Sequence, residues 1–222
     1  SMEDASKAIA DFNTRLDLSG PALQGISKQA IQVADLLGED LGKVIEESSQ
    51  AFKQWKIDSE DLGDGMDYIF KVSQSTGLGF SDLMTKLQQF GPQLQEMGYS
   101  FESGAALIGQ LDKAGVNVDE TLAALKKSVG TLAKEGTSAS DGLAIYYEQI
   151  QNAGSAADAA AIANQILGMR AGSTVAAAIR DGTLAVGDFT AGLLENGETI
   201  GGAAEDTYDF AERLQMFRQQ AE

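Results

Sequence analysis

Apolar residues recur along this chain with the period of an α-helix. Leu41, Val44, Ile45, Ser48, Phe52 and Trp55 stand at i, i+3, i+4, i+7, i+11 and i+14, lining one helix face over about four turns. Leu62, Met66, Ile69, Phe70 and Ser73 repeat the stripe, as do Leu122, Leu125, Val129 and Leu132. Phe210, Ala211, Leu214 and Phe217 form a last one near the C-terminus. No long alternating run rich in Val, Ile and Thr signals a strand. The pattern predicts an all-α fold, a compact array of about ten helices of roughly 10–20 residues joined by tight turns.

Glycine marks the turns. It supplies 25 of the 222 residues, above the ~7% usual in globular proteins. A glycine inside a helix costs about 1 kcal/mol relative to alanine, so most are expected at helix ends. Gly38, Gly77, Gly98, Gly115, Gly136, Gly154, Gly182 and Gly197 follow periodic runs, where a left-handed C-cap is wanted. Asp58, Ser81, Asp119 and Ser155 are the matching N-cap candidates. Gly91-Pro92 is expected to break the stretch from Ser81 to Met97 in two, because proline cannot continue the hydrogen-bond ladder.

Two stretches look like copies. One runs from Ile57-Asp58-Ser59 to Gly77 and on to Phe80-Ser81-Asp82-Leu83; the other runs from Phe101-Glu102-Ser103 to Gly115 and on to Val118-Asp119-Glu120. Gly77 and Gly115 are 38 residues apart, as are Phe80 and Val118. In each copy an apolar residue precedes an acid-rich helix start, as in a hydrophobic staple. An approximate helix-hairpin repeat is therefore expected. The chain divides into a helical repeat subdomain over residues 3–136 and an Ala/Gly-rich helical subdomain with a C-terminal helix over residues 137–222. Ser1-Met2 reads as a cloning remnant before a segment of something longer.

Composition narrows the chemistry. Hydrophobic residues make up 43%, enough to bury a core, yet no apolar run approaches the ~20 residues of a membrane span. Glu3, Asp4 and Lys7 near the start do not form a signal peptide. Cysteine and histidine are both absent, which excludes disulfides, thiolate zinc sites, HExxH sites and His-based triads or dyads. Sixteen basic against 33 acidic residues give a net charge of −17. Nucleic acid and anionic membrane surfaces should be repelled.

The string from Phe70 to Leu125 carries Ser75-Thr76-Gly77, Phe80-Ser81-Asp82-Leu83, Phe90-Gly91, Met97-Gly98-Tyr99-Ser100-Phe101-Glu102 and Ala114-Gly115-Val116. Downstream come Ile166-Leu167-Gly168-Met169-Arg170-Ala171-Gly172 and Ala177-Ala178-Ile179. In this order the series resembles the core region of phage tail tape measure proteins. Leu36-Leu37-Gly38 to Trp55 and the tail from Ala203 to Gln220 fit that family's flanks, so the resemblance covers nearly the whole chain. It implies a phage or prophage virion protein that occupies the tail tube during assembly, sets tail length and leaves before or during DNA ejection. The implied locations are the tail tube interior and, during assembly, the host cytoplasm. Implied partners are the tube, the tail assembly chaperones and the tail tip, with homo-oligomerisation left open. Full-length members are much longer, so this chain would be one segment. The family has no catalytic residues in this region. No residue is accordingly assigned a catalytic, cofactor-binding or metal-binding role, and no cofactor is expected.

Several motifs carry candidate chemistry. Glu60, Asp64 and Asp67 stand at i, i+4 and i+7; a solvated acidic face is preferred over a cation site or a glycosidase pair. Leu62 occupies a ligand position and spoils a calcium loop at Asp58–Gly63. The GxxxG from Gly168 to Gly172 is expected to let two helices cross closely, with Arg170 paired to a nearby carboxylate. Asp158, Arg170 and Arg180 argue against a membrane reading of that Ala-rich stretch, so membrane contact is possible but not indicated. Trp55, Phe70, Phe80, Phe90, Phe101 and Phe189 are expected to pack, and one of Tyr146 and Tyr147 to point outward as a partner contact. Gly77-Leu78-Gly79 lacks the lysine of a phosphate loop. Two competing classes are a carboxylate-based cell-wall-degrading module and a cytoplasmic helical-repeat adaptor.

Overall fold

The computed structural model describes residues 1–134, 139–195 and 199–207. Every regular element among them is helical: α1 (Met2–Leu16), α2 (Gly20–Leu37), α3 (Leu41–Trp55), α4 (Leu62–Thr76), α5 (Phe80–Glu96), α6 (Phe101–Lys113), α7 (Val118–Lys134), α8 (Ala139–Gln151), α9 (Ala156–Arg180) and α10 (Val186–Glu195). Residues 200–207 form a further helix, α11. The expected all-α array is what the chain forms, with α3 coinciding with the stripe from Leu41 to Trp55.

Two rows of helices make the larger part. α2 packs on α4 and α4 on α6, while α3 packs on α5; α1 closes one end against α2 and α3. At the other end α8 and α7 pack on α9, and α10 lies across α6 and α4. A single apolar cluster runs through the described residues from Ala8 to Ile200. Phe12, Phe52, Phe70 and Phe80 are its largest fully buried side chains.

Most of the turns follow the glycine rule. Gly38, Gly77, Gly98, Gly115 and Gly182 all adopt positive φ, between 67° and 86°, the left-handed region where only glycine avoids a Cβ penalty. Gly154 instead keeps an ordinary φ in the bend before α9, and Gly136 and Gly197 lie outside the described residues. α1 and α3 close without glycine, through Asp17 at φ 54° and Lys56 at φ 55°.

The N-caps shift by a few residues. Ser155 caps α9 as expected, accepting from the Asp158 N–H at 3.1 Å. For α7 the capping side chain is Asn117, which accepts from the Glu120 N–H at 3.0 Å, and Asp119 lies in the first turn. Ser81 likewise sits inside α5, and α4 begins at Leu62, beyond Asp58. Phe80 and Val118 are the first residues of their helices and not the residues before them.

Two expectations fail because of what lies opposite. Pro92 does not split α5, which runs unbroken from Phe80 to Glu96. Pro92 has no N–H to offer the Gln88 carbonyl, and beside it Gly91 leaves room for Trp55, whose indole N–H donates to the neighbouring Leu87 carbonyl at 2.9 Å. Glycine also enters helix interiors. A Cβ at Gly65 would come within 2.9 Å of the Phe52 ring, and one at Gly109 within 2.7 Å of Val72. At Gly104 it would stand 3.1 Å from the Trp55 ring. Close helix packing at these positions outweighs the ~1 kcal/mol propensity cost.

Charged groups tie neighbouring turns together. Glu39, after α2, accepts from the Ser81 N–H at 3.1 Å and from the Ser81 hydroxyl, so it caps α5 from another helix pair. Lys43 reaches Asp82 at 3.1 Å and Lys86 reaches Asp119 at 2.9 Å.

Candidate partner-binding groove

A concavity between α6 and the α8–α9 pair grows out of three local features. The first is the turn between α5 and α6. Gly98, at φ 84°, reverses the chain, the Tyr99 N–H donates to the Leu94 carbonyl at 3.0 Å, and Ser100 caps α6. This turn presents Met97 and Tyr99 beside Leu107 and Leu111 of α6. Burial pushes the Tyr99 phenol above its ordinary pKa, so it stays neutral and serves as wall.

The second feature is a bend inside α9. Gly168 has φ 75° and ψ 165°, a conformation essentially restricted to glycine, and it separates an arm over 156–167 from an arm over 169–180. Ile166, Leu167 and Ile179 thereby face the same space from the two arms. Gly172 lies against the backbone of Asn164: a Cβ there would be 2.6 Å from its nitrogen. Gly172 thus makes the close helix–helix contact expected of the GxxxG, between the two helical arms that Gly168 joins. Met169 and Arg170 are thrown outward at the bend, and Arg170 meets Glu120 at 3.5 Å.

The third is α8 with the loop after α9. The Tyr147 hydroxyl donates to the Leu184 carbonyl at 3.0 Å, and the Leu184 N–H donates to the Ala178 carbonyl at 2.8 Å. Arg180 donates to the Ala153 carbonyl at 2.6 Å, fixing the far end of α9 to the end of α8. Both Tyr146 and Tyr147 are half-buried and line the concavity, so neither simply points outward as expected.

Together these walls enclose a groove of about 620 Å³ between α6 and the α8–α9 pair, within the range of pockets that hold a ligand. Its walls are mainly apolar, and exposed Glu148 and Gln151 supply a polar rim. No residue of this groove except Tyr146 and Tyr147 was singled out as a contact from sequence. Its formation depends on the bend at Gly168, and glycine spacing alone does not distinguish a bend from a helix crossing.

The acidic triplet is dispersed. Glu60 lies in the turn before α4 and Asp64 is exposed. Asp67 instead accepts from the Ile200 N–H at 2.9 Å, at the start of α11. One turn along α4, Lys71 donates to the Leu193 carbonyl of α10 at 3.1 Å. A carboxylate at a helix start and an ammonium at a helix end each match the local dipole. Asp67 therefore has a structural partner that the reading of a purely solvated face missed. Among the described residues no cluster of three or more His, Cys, Asp or Glu could hold a metal ion, and no helix is long and apolar enough to cross a membrane. The C-terminal stripe from Phe210 to Phe217 and the side chains of Val129, Leu132 and Phe189 lie outside the described residues.

Burial raises the Asp67 pKa above the ordinary carboxylate value; the bonds from Ile200 and Gln29 and the nearby Lys71 oppose the shift, and Asp64 adds to it. The protonated form is thus favoured by folding, a contribution present at low pH and lost as pH rises through the raised pKa. At neutral pH Asp67→Asn should have a Tm equal to or above the wild type. That difference should shrink as pH falls through the raised value. A difference that widens in the wild type's disfavour on acidification would contradict this assignment.

An all-helical domain with an apolar groove and a polar rim is the class that fold and site define. The chain belongs to the phage-related minor tail protein family, whose model matches residues 1–178. No curated protein and no solved structure matches the chain.

Proposed function

We propose that the chain is a non-enzymatic structural segment of a tail tape measure protein, acting in tail length determination and tail assembly. Membership of the minor tail protein family over residues 1–178 carries the reading. Several residues that bear the resemblance have demanding environments. Gly77 and Gly115 are left-handed turns, Phe80 is fully buried, Gly91 abuts Trp55, and Gly168 and Gly172 make the α9 bend. A sequence series of that kind describes one particular packing, which favours a compact segment in the parent chain over a continuous rod. The reading includes the two subdomains over residues 3–136 and 137–222, with the groove near their junction. It places the protein in the tail tube interior, and in the host cytoplasm during assembly, with tube, chaperone and tip proteins as partners.

In-frame deletion of this segment in the phage, followed by electron microscopy of tails, tests the proposal. Absent or shortened tails are expected. A straight helix of 222 residues would span roughly 330 Å, so a shortening well below that length fits a folded segment. Infectious tails of unchanged length would sink the tape measure reading. Release of soluble fragments from peptidoglycan by the purified chain would sink the non-enzymatic one.

A further inference from the structure

The groove between α6 and the α8–α9 pair has a chemical character beyond being apolar. Three of its lining side chains are tyrosines: Tyr99 from the turn before α6, and Tyr146 and Tyr147 from α8. Its lining residues include no lysine or arginine, and Glu148 is the single charged one. Glu148 is exposed at the rim, and its carboxylate forms no ion pair among the described residues. Arg180, next to the lining residue Ile179, is tied instead to the Ala153 carbonyl at 2.6 Å.

Each of these features favours a cation over an anion. The face of an aromatic ring is the negative part of its quadrupole, and an ammonium within about 6 Å of the ring is drawn to it. An unpaired carboxylate at the mouth adds direct attraction. The net charge of −17 draws cations toward the surface as a whole and repels anions. Deeper in, Leu107, Leu111, Ile166 and Leu167 offer only apolar surface, which rewards an apolar body.

The site is also preformed and walled on several sides. Tyr147 is held by its bond to the Leu184 carbonyl at 3.0 Å, and the Gly168 bend sets the α9 wall. Leu125 of α7 and Gly187 of α10 add further walls. A fixed pocket loses little order when it is filled. Enclosure by five helices, at about 620 Å³, suits a small molecule better than a helix laid along one open face.

We propose that this groove binds a small lipophilic cation. Its apolar body seats against Leu107, Leu111 and Leu167, and its ammonium head lies among the tyrosines and Glu148. The proposal assigns no reaction to the site and holds whatever the role in the tail.

Octyltrimethylammonium tests it, with octanol and octanoate as the neutral and anionic probes of equal chain length. Isothermal titration calorimetry of the full chain should show saturable one-to-one binding of the ammonium, about tenfold or more tighter than octanol, and no binding of octanoate. Glu148→Gln, at an exposed position where folding should be undisturbed, should weaken the ammonium about fivefold or more and leave octanol unchanged. Tyr146→Leu should weaken the ammonium similarly while the far-ultraviolet spectrum keeps its helical form. Glu3→Gln removes the same charge from α1, at the opposite end of the array. At ~0.15 M salt charges beyond about 8 Å are largely screened, so this change should leave ammonium binding as it was. Absence of saturable ammonium binding overturns the proposal. Equal affinity for octanol or octanoate does the same, by making the groove a plain apolar cavity. So do equal losses from Glu3→Gln and Glu148→Gln, which would reduce the effect to diffuse attraction by an acidic surface.

Discussion

Trp55→Ala is expected to lower the unfolding free energy by about 3–5 kcal/mol, the range for truncating a large buried aromatic residue. That is a large share of the ~5–15 kcal/mol available to a typical domain. The side chain is 8% exposed and joins three helices. It meets the Phe101 ring edge-on at 5.9 Å, and Phe52 meets the same ring at 5.6 Å. Gly91 and Gly104 lack side chains where the indole lies, so neither offers a group that could fill the void. The Leu87 carbonyl would also lose its indole donor, next to the turn that Pro92 already weakens. Urea denaturation followed by circular dichroism measures the loss. Trp55→Phe separates the two parts, because it keeps an aromatic ring beside Phe101 and removes only the donor and some volume. It should cost clearly less than the alanine. If both variants cost the same, the hydrogen bond and not the packing dominates.

The same residue shows what could be read from sequence. The stripe ending at Trp55 fixes the limits of α3, because burying one face of a helix requires that period. Glycines at Gly38, Gly77, Gly98, Gly115 and Gly182 are legible for a similar reason: a left-handed residue after a periodic run is a local requirement. Gly65, Gly91, Gly104 and Gly109 are not legible in that way. Each is glycine because of a side chain on another helix, from Phe52, Trp55 or Val72, and local spacing says nothing of partners far along the chain. Asp67 follows the same logic. Its position in an acidic stripe suggested a face turned to water, but its partner is the Ile200 N–H, contributed from 133 residues away. The groove is hidden for both reasons together, since it needs the turn at Gly98, the bend at Gly168 and the loop at Leu184 to converge.

Gly172→Ala is expected to be the most damaging of the single glycine replacements, at about 2–3 kcal/mol. Alanine is the better helix former by about 1 kcal/mol, so at an open helical position the change would stabilise. Here the new Cβ would stand 2.6 Å from the backbone nitrogen of Asn164 and 2.7 Å from its Cα. At Gly109 the close neighbours are the side chains of Val72 and Thr76, which have some freedom to shift. A backbone atom can yield only if a whole arm of α9 moves. Both arms are anchored, one by the Ser155 cap and the other by the bonds from Arg180 to Ala153 and from Leu184 to Ala178. Overpacking of this kind costs about 1–3 kcal/mol or more, which outweighs the propensity gain. Gly168→Ala meets no neighbour within 4 Å but must hold φ at 75° and ψ at 165°, so its cost of about 1–3 kcal/mol is conformational. Both changes act on one bend, so the double variant should lose less than the sum of the singles: once the bend has opened, the second strain is already relieved. Additive losses would mean that Gly168 and Gly172 are independent, and that the two arms of α9 are held together by something other than this contact.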